Sequence, residues 1–162
     1  MPIELYRIDD RLVHGQVVVG WGQPLQLGFI VLVDDAVAAS EWEQELYRMG
    51  VPPEMEVRFE SVASALEHLA EYEARADRGL LLTADVETMR KLVEGSRLIR
   101  AVNLGGVHHR PGRAARLRYV FLAPEEERAL RALADRGIVV TAQDVPGATP
   151  VSLARVLAGA PE

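Results

Sequence analysis

Apolar residues recur along the chain in two alternating patterns. Short runs rich in β-branched and large aliphatic residues predict buried strands at Ile3–Ile8, 29–35, 55–61, 79–85, 99–106, 116–122 and 137–145. Between them, apolar residues spaced three or four positions apart predict helices at 14–25, 36–49, 62–74, 86–93, 124–137 and 151–158. Such alternation is typical of an α/β fold, so we predict an open, mostly parallel sheet with helices on both faces.

Residues that favour helix ends agree with these boundaries. Asp85 is a good N-cap for the fourth predicted helix, and Gly95 is a good stop. Pro124 falls in the first turn of an acidic helix start, and Gly137 ends the same segment. No stretch resembles a linker, an internal repeat or a low-complexity segment, so we predict a single domain over 1–162.

Composition narrows the class of protein. The 162 residues are 49% hydrophobic and 26% charged, which is typical of a soluble globular chain. The net charge of −6 argues against a broad nucleic-acid-binding surface. The absence of cysteine excludes disulfides, thiolate zinc sites and a cysteine nucleophile. Neither a secretory pattern at the N-terminus nor an apolar run of membrane-spanning length is present, so we expect a cytoplasmic protein.

The segment RIDDRLVHGQV, at 7–17, places His14 among charged residues at a predicted strand-to-helix turn. Ligands of open α/β sheets bind beyond the carboxyl ends of the strands, where the strand order reverses. His14 lies there if Ile3–Ile8 is a central strand. A helix beginning near Gly15 would direct its unpaired N–H groups at the same place, and Arg11 offers a planar fork of donors to an anion.

This combination of residues suits phosphoryl transfer. A neutral imidazole is a nucleophile near pH 7, and Asp10 is our candidate for holding one ring nitrogen of His14 as N–H. We expect Arg11, Gly15 and Gln16 to contact the phosphate. No Walker-type Gly-Lys-Ser/Thr loop is present, so a nucleotide is not the expected donor, and we expect no cofactor. The alternative at this stage is a salt-bridged surface histidine.

Other polar and aromatic residues have less specific interpretations. His108 and His109 are adjacent and point in different directions, so we expect an exposed loop with Arg110 and Arg113 rather than a metal site. We expect His68 on a solvated helix face. The remaining expectations are core or subunit-contact positions for the two tryptophans and helix N-caps for the two adjacent aspartates, namely Trp21, Trp42, Asp34 and Asp35.

The motif at 7–17 resembles the signature of the IIB component of the mannose/fructose/sorbose class of the bacterial phosphoenolpyruvate-dependent sugar phosphotransferase system. Similar segments follow in the same order and spacing: VLVDDAVAAS at 31–40, LLLTADVETMRKLVEG at 80–95, VNLGG at 102–106 and DVPGATPVSL at 144–153. The first motif is highly specific, the later ones individually weak, and together they span nearly the whole chain.

The resemblance implies that Nδ1 of His14 accepts a phosphoryl group from the phosphohistidine of a IIA component. His14 would then pass it to a sugar held by the membrane-embedded IIC and IID components. The implied sheet is seven-stranded and mostly parallel, with the order 3-2-1-4-5-6-7. That order places Thr83 across a crevice from His14, as a further phosphate donor.

On the same resemblance we expect a homodimer at the inner face of the membrane, with Arg7 and Arg110 in the surfaces that meet the partners. Two other functions stay open. One is a regulatory phosphoprotein or anion-binding module without a role in transport. The other is an α/β hydrolytic enzyme using His14 as a general base, but the sequence offers it no Gly-x-Ser-x-Gly, cysteine or His-x-x-x-His pair.

Overall fold

The structure, a computed structural model, describes residues 2–14 and 18–159, with the backbone alone at Val19. The strands of these residues are β1 (Ile3–Ile8), β2 (Leu27–Val33), β3 (Glu56–Glu60), β4 (Arg78–Thr83), β5 (Ala101–Leu104), β6 (Ala114–Leu117), β7 (Val120–Leu122), β8 (Val139–Ala142) and β9 (Val151–Ser152). The helices are α1 (Asp35–Ala38), α2 (Glu41–Met49), α3 (Val62–Glu73), α4 (Val86–Gly95), α5 (Pro124–Asp135) and α6 (Leu153–Leu157), besides a π-helical turn at Val18–Gly22.

One seven-stranded sheet runs in the order β3-β2-β4-β1-β5-β8-β9. Its neighbouring strands are parallel, except that β9 pairs antiparallel with β8. The predicted α/β fold is therefore confirmed. Ile30 and Leu32 of β2 face one side of the sheet and Phe29 and Val31 the other, and all four are completely buried.

The expected strand order was wrong at the centre of the sheet. We expected β1 between β2 and β4, whereas β4 lies between β2 and β1, and β1 pairs with β4 and β5. Leu80, Leu81 and Leu82 of β4 are fully buried, so this strand occupies a position covered on both faces. In β1, by contrast, Glu4 is exposed and Leu5 only half-buried. The central place of β1, on which the His14 prediction depends, is confirmed.

The predicted strand at 116–122 is not part of this sheet. It folds back as an antiparallel hairpin of β6 and β7, and β9 occupies the edge of the main sheet instead. Arg116 and Arg118 keep part of their surface in solvent, which suits a hairpin at the periphery better than an interior strand. The edge strand β9 comprises only two residues, at the start of the segment that we predicted to be helical.

Helices pack on both faces of the sheet. Leu69 of α3, Met89 of α4 and Leu130 of α5 belong to one apolar cluster. On the opposite face, Val37 of α1 and Val18 of the π-helical turn belong to a second. Because the two clusters lie on opposite sides of the same strands, the sheet separates them and contributes side chains to both.

Local signals for helix ends are confirmed. The Asp34 carboxylate accepts a hydrogen bond from the Val37 amide at 3.0 Å, and that of Asp85 from the Thr88 amide at 2.7 Å. Pro124 is the first residue of α5. Gly137, just beyond α5, has a φ of +90°, which glycine adopts without steric cost.

Candidate active site

The segment from Asp9 to His14 leaves the carboxyl end of β1 at the centre of the sheet. Its backbone is fixed on both sides, because the Asp9 amide donates to the Thr83 carbonyl at 3.0 Å and the Asp10 amide to the Gly106 carbonyl at 2.9 Å. The chain leaves β1 toward β2 on one side, whereas the chain after β5 continues toward β8 on the other. The crevice therefore lies between β1 and β5, and not between the first and fourth strands as expected.

Asp9 is the buried centre of this site, with no exposed surface. Its Oδ1 accepts hydrogen bonds from the backbone N and the Nε of Arg11, both at 3.1 Å, and its Oδ2 from Nη2 of Arg11 at 3.0 Å. Burial alone would raise the pKa of Asp9. The neighbouring His14 imidazole and the guanidinium groups of Arg11 and Arg7 outweigh it and hold that pKa well below its usual range.

Arg7 lies beneath Asp9 and is completely buried, so the prediction that it contacts a partner was wrong. Its guanidinium donates to Asp9 Oδ2 at 3.3 Å, to the Asn103 side chain, to the Gln143 carbonyl at 2.9 Å and to the Asp144 carbonyl at 3.1 Å. These bonds connect the end of β1 to β5 and to the segment that follows β8. We call Arg7 with these four acceptors the Arg7 clamp, because it holds the backbone beneath Asp9 in place.

Two close approaches support this clamp. The guanidinium of Arg7 lies over the ring of Trp21, 4.7 Å from its centroid, which makes Trp21 a core residue as predicted. Opposite it, a Cβ on Gly105 would come within 2.4 Å of Arg7 Nη2. Any larger residue at position 105 would therefore push the guanidinium off its acceptors.

His14 lies above Asp9, with its Nε2 atom 3.8 Å from Asp9 Oδ1. That nitrogen is buried, although 21% of the side chain is exposed. The imidazole is thus half-enclosed on its Nε2 side. The arrangement fits an imidazole that is held on one side and reacts on the other.

A strained turn brings His14 to this position. Leu12 has a φ of +58°, in the left-handed region that β-carbon sterics disfavour by about 1 kcal/mol or more. The Leu12 amide donates to the Asp9 carbonyl at 3.0 Å, and the Leu12 and Val13 side chains are buried in the second apolar cluster. Burial of these two side chains holds the turn closed and lifts His14 to the edge of the sheet.

The carboxylate beside His14 is that of Asp9 and not, as we predicted, that of Asp10. The Asp10 carboxylate accepts from the backbone N of His108 at 2.8 Å, and its Oδ1 lies 2.5 Å from His108 Nδ1. Asp10 therefore ties the loop 105–113 to the site instead of orienting His14. Arg113 strengthens that loop by donating to the His108 carbonyl at 2.8 Å and to the Glu126 carboxylate.

The other predicted site residues have different outcomes. The Thr83 side chain is fully buried and its hydroxyl donates to the Asp85 carbonyl at 3.0 Å, so the prediction that it donates to phosphate does not fit this geometry. Arg110 is exposed on the loop, where it stays a prediction as a docking residue. Gly15 and Gln16 lie outside the described residues. Of the helix that we predicted at 14–25, the described residues form a π-helical turn at Val18–Gly22.

The structure also describes the remaining polar and aromatic residues that we considered in the sequence. Asp35 is the first residue of α1 and not its N-cap, and its carboxylate accepts from the amide of Val62, the first residue of α3, at 2.8 Å. His68 Nδ1 lies 2.8 Å from the Glu60 carboxylate. Trp42 is 72% exposed, and therefore is not a core residue. Within 2–14 and 18–159, no cluster of three or more histidine and acidic side chains is arranged to hold a metal ion.

Sequence reasoning missed Asp9 as the residue beside His14, and Asn103 as a partner of Arg7. A signal for Asp9 was present. Side chains two apart on a strand share a side, so Arg7 and Asp9 fall together while Asp10 faces the other way. No comparable signal existed for Asn103, whose bond to Arg7 joins residues 96 positions apart.

The family model described as "PTS system sorbose subfamily IIB component", where PTS is the phosphotransferase system, matches residues 3–161. The chain belongs to this family. IIB components are phosphotransferases of sugar-transport systems, so the protein is a transferase of that class.

Individual relatives agree with the family. The N-acetylgalactosamine-specific phosphotransferase enzyme IIB component 1 of Escherichia coli (strain K12) is 35% identical over 148 residues, which cover 90% of this chain and 92% of the relative. The E. coli PTS system mannose-specific EIIAB component is 32% identical, and the match covers 90% of this chain but 45% of that protein. The IIBSor domain of the sorbose permease from Klebsiella pneumoniae superposes with a TM-score of 0.88, at 28% identity and 99% coverage of both chains.

Proposed function

We propose that this IIB component carries a phosphoryl group on His14. It would receive the group from the phosphohistidine of a IIA component and transfer it to a sugar held by membrane-embedded IIC and IID components, at the cytoplasmic face of the membrane. The observation that carries the proposal is the position of His14, partly exposed beside a buried carboxylate that is hydrogen-bonded by two arginines.

Nδ1 is the proposed acceptor atom. Nε2 is buried and faces Asp9, so the lone pair available to an incoming phosphorus belongs to the other ring nitrogen. The bond from phosphorus to the donor imidazole breaks as the bond to Nδ1 forms, and the donor keeps the electron pair. Asp9 stabilises the positive charge that develops on the ring, because its carboxylate lies beside the Nε2 proton.

Arg11 is the proposed phosphate ligand. Asp9 fixes its guanidinium along the Nε and Nη2 edge, and burial is only partial, with 31% of the side chain exposed. We propose that N–H groups outside this edge donate to the phosphoryl oxygens when His14 is phosphorylated. Phosphoryl transfer depends mainly on positioning and on charge stabilisation, and a guanidinium already held in place supplies both.

Transfer to the sugar completes the proposed cycle. The bond from Nδ1 to phosphorus breaks, a bond to a sugar hydroxyl oxygen forms, and the hydroxyl proton leaves to a base or to water. A shallow site suits this role because two partners must reach the same atom in turn. None of the helices in the described residues is long and apolar enough to cross a membrane, so the sugar pathway itself belongs to the partners in this proposal. A homodimer stays a prediction from the family resemblance.

The test is phosphorylation from phosphoenolpyruvate through the general phosphotransferase proteins and a matching IIA component. We expect acid-labile, alkali-stable label on the wild type and none on His14→Ala. His68→Ala is the matched control, because it also removes a histidine that contacts a buried carboxylate, and it should label like the wild type. Unlabelled wild type with a verified donor chain would refute the proposal and favour an anion-binding module.

A further inference from the structure

Helix α2 carries an apolar stripe made of Trp42, Leu46 and Met49. These side chains lie at positions i, i+4 and i+7, which is one face of a helix. They are 72%, 50% and 81% exposed. Every residue of α2 keeps part of its surface exposed, although the helix has a well-formed N-cap at Ser40. The stripe is a contiguous apolar surface rather than a loosely packed part of the core.

The opposite side of α2 is what holds the helix on the sheet. Tyr47 packs against Phe59 of β3, with ring centroids 6.4 Å apart. Gln44 Nε2 donates to the carbonyls of Val37 and Ala38, both at 3.1 Å. These contacts fix the helix with the stripe facing outward, so Trp42 and Met49 are presented to solvent without contributing to the fold.

The stripe is connected to the phosphoryl site through α1 and the second apolar cluster. Val37 of α1 packs in the same apolar cluster as Leu12 and Val13, the residues that lead to His14. Helix α2 begins at Glu41, three residues after α1 ends. Trp42 is in its first turn, so a partner seated on the stripe reaches toward the edge of the sheet that carries His14.

The charges beside the stripe are predominantly acidic. Glu41, Glu43 and Glu45 lie on α2 with a single arginine, Arg48, which pairs with Glu45 at 2.6 Å. This surface would be repelled by anionic lipid headgroups. Cytoplasmic loops of integral membrane proteins are enriched in lysine and arginine, and an apolar stripe with an acidic border is complementary to such loops.

We infer that the stripe docks on the basic cytoplasmic loops of the membrane-embedded permease. The inference rests on the proposed function. A soluble phosphoryl donor must leave after each transfer, and brief encounters of this kind use small interfaces. The permease is where the carrier stays while sugar is phosphorylated, and an exposed tryptophan is a suitable anchor there. A second copy of this chain is a less suitable partner, because the glutamates of the two copies would repel each other and Arg48 of each copy is already paired with Glu45.

The experiment measures binding of the full chain to cognate IIC and IID components in nanodiscs of neutral lipid. We expect the double variant Trp42→Ser/Met49→Ser to bind roughly 30-fold more weakly, the loss typical of removing an interface anchor. Val139→Thr is the matched control, because Val139 is also an exposed apolar residue, at 62%, but lies on β8. This variant should bind as tightly as the wild type. Glu41→Lys/Glu43→Lys should also weaken binding and reduce its salt dependence.

Three results with the double variant would overturn the inference. Slower labelling by the IIA component with unchanged permease binding would assign the stripe to the phosphoryl donor. A change in the mass of the chain in solution would assign it to a second copy, and loss of binding to empty anionic nanodiscs would assign it to lipid. Unchanged permease binding by the double variant would also refute it. Unphosphorylated chain is used for binding, so a failure of the proposed phosphorylation at His14 would be seen separately, as unlabelled wild type.

Discussion

Two histidines of this protein stand beside a buried carboxylate at the carboxyl end of a parallel strand, but only one pair has the surroundings of a phosphoryl site. His14 lies above Asp9, at the centre of the sheet, where two arginines hydrogen-bond the carboxylate. His68 contacts Glu60 at the end of the edge strand β3. There the carboxylate also accepts from the Tyr72 hydroxyl at 2.5 Å and the Ser64 hydroxyl at 2.9 Å.

The difference lies in what surrounds the two carboxylates. Tyr72 and Ser64 are neutral donors, and the nearby Arg58 is paired with Glu56 at 3.1 Å, so no arginine is fixed on the Glu60 carboxylate to balance a phosphoryl dianion. At Asp9 the partly exposed Arg11 supplies that charge, and the crevice between β1 and β5 supplies access. If His14 carries the phosphoryl group as proposed, an imidazole next to a carboxylate is not sufficient for phosphoryl transfer. A cation fixed beside the ring and a place where the strand connections diverge are also needed.

The largest expected difference between the two sites is in stability. Asp9→Asn leaves the guanidinium of Arg7 buried without its carboxylate, and we expect it to cost about 3–5 kcal/mol in the free energy of unfolding. Glu60→Gln leaves neutral hydroxyl partners and an exposed imidazole, so about 1–2 kcal/mol is expected. Urea titration of both variants measures these values. Equal losses would mean that Arg7 does not depend on Asp9 for its charge balance.

The next largest effect is on the rate of phosphorylation. Arg11→Gln keeps a polar side chain of similar length but removes the charge beside His14, and we expect a rate about 10²-fold lower, as for other donors to a developing anion. Arg58→Gln is the control, since Arg58 carries the same charge near Glu60 and Tyr72. Its labelling rate by the IIA component should equal that of the wild type. A normal rate for Arg11→Gln would exclude Arg11 as the phosphate ligand.

The smallest effect is on the pH dependence of stability. The hydrogen bond and charge of Glu60 raise the pKa of His68. Protonated His68 therefore stabilises the fold fully below the unfolded-state pKa of about 6.5, and this contribution is lost as the pH rises through the higher folded-state pKa. Thermal unfolding of wild type and His68→Gln should show a difference in Tm that narrows toward alkaline pH. Parallel curves of Tm against pH for the two proteins would show that the His68–Glu60 pair does not contribute to the pH dependence of stability.

Sequence patterns predicted what depends on near neighbours. The alternation of buried runs and amphipathic segments predicted the α/β class, and the N-caps at Asp34 and Asp85 follow from residues three positions apart. His14 and Arg11 were found because a histidine among charged residues beyond an apolar strand is conspicuous in the sequence itself. Each of these inferences uses interactions within a few residues of the chain.

What the sequence did not predict depends on distant contacts. The insertion of β4 between β2 and β1 reflects burial on both faces, which a run of leucines indicates but does not assign to a place in the order. Arg7 was expected at the surface because arginine is rarely buried. Apart from Asp9, its acceptors lie 96 to 137 residues further along the chain, beyond the reach of any local pattern.

The span of the Arg7 clamp also bears on how the protein is made. Its bonds to the Gln143 and Asp144 carbonyls join residues 136 and 137 positions apart, so they cannot form until most of the chain has been synthesised. Contacts of such long range form late, because the entropy of closing the loop is lost before the contact is gained. A nascent chain that ends at β7 already contains Asp9, Arg11 and His14 but not these carbonyls. Formation of the complete site around His14 is thereby coupled to completion of the chain.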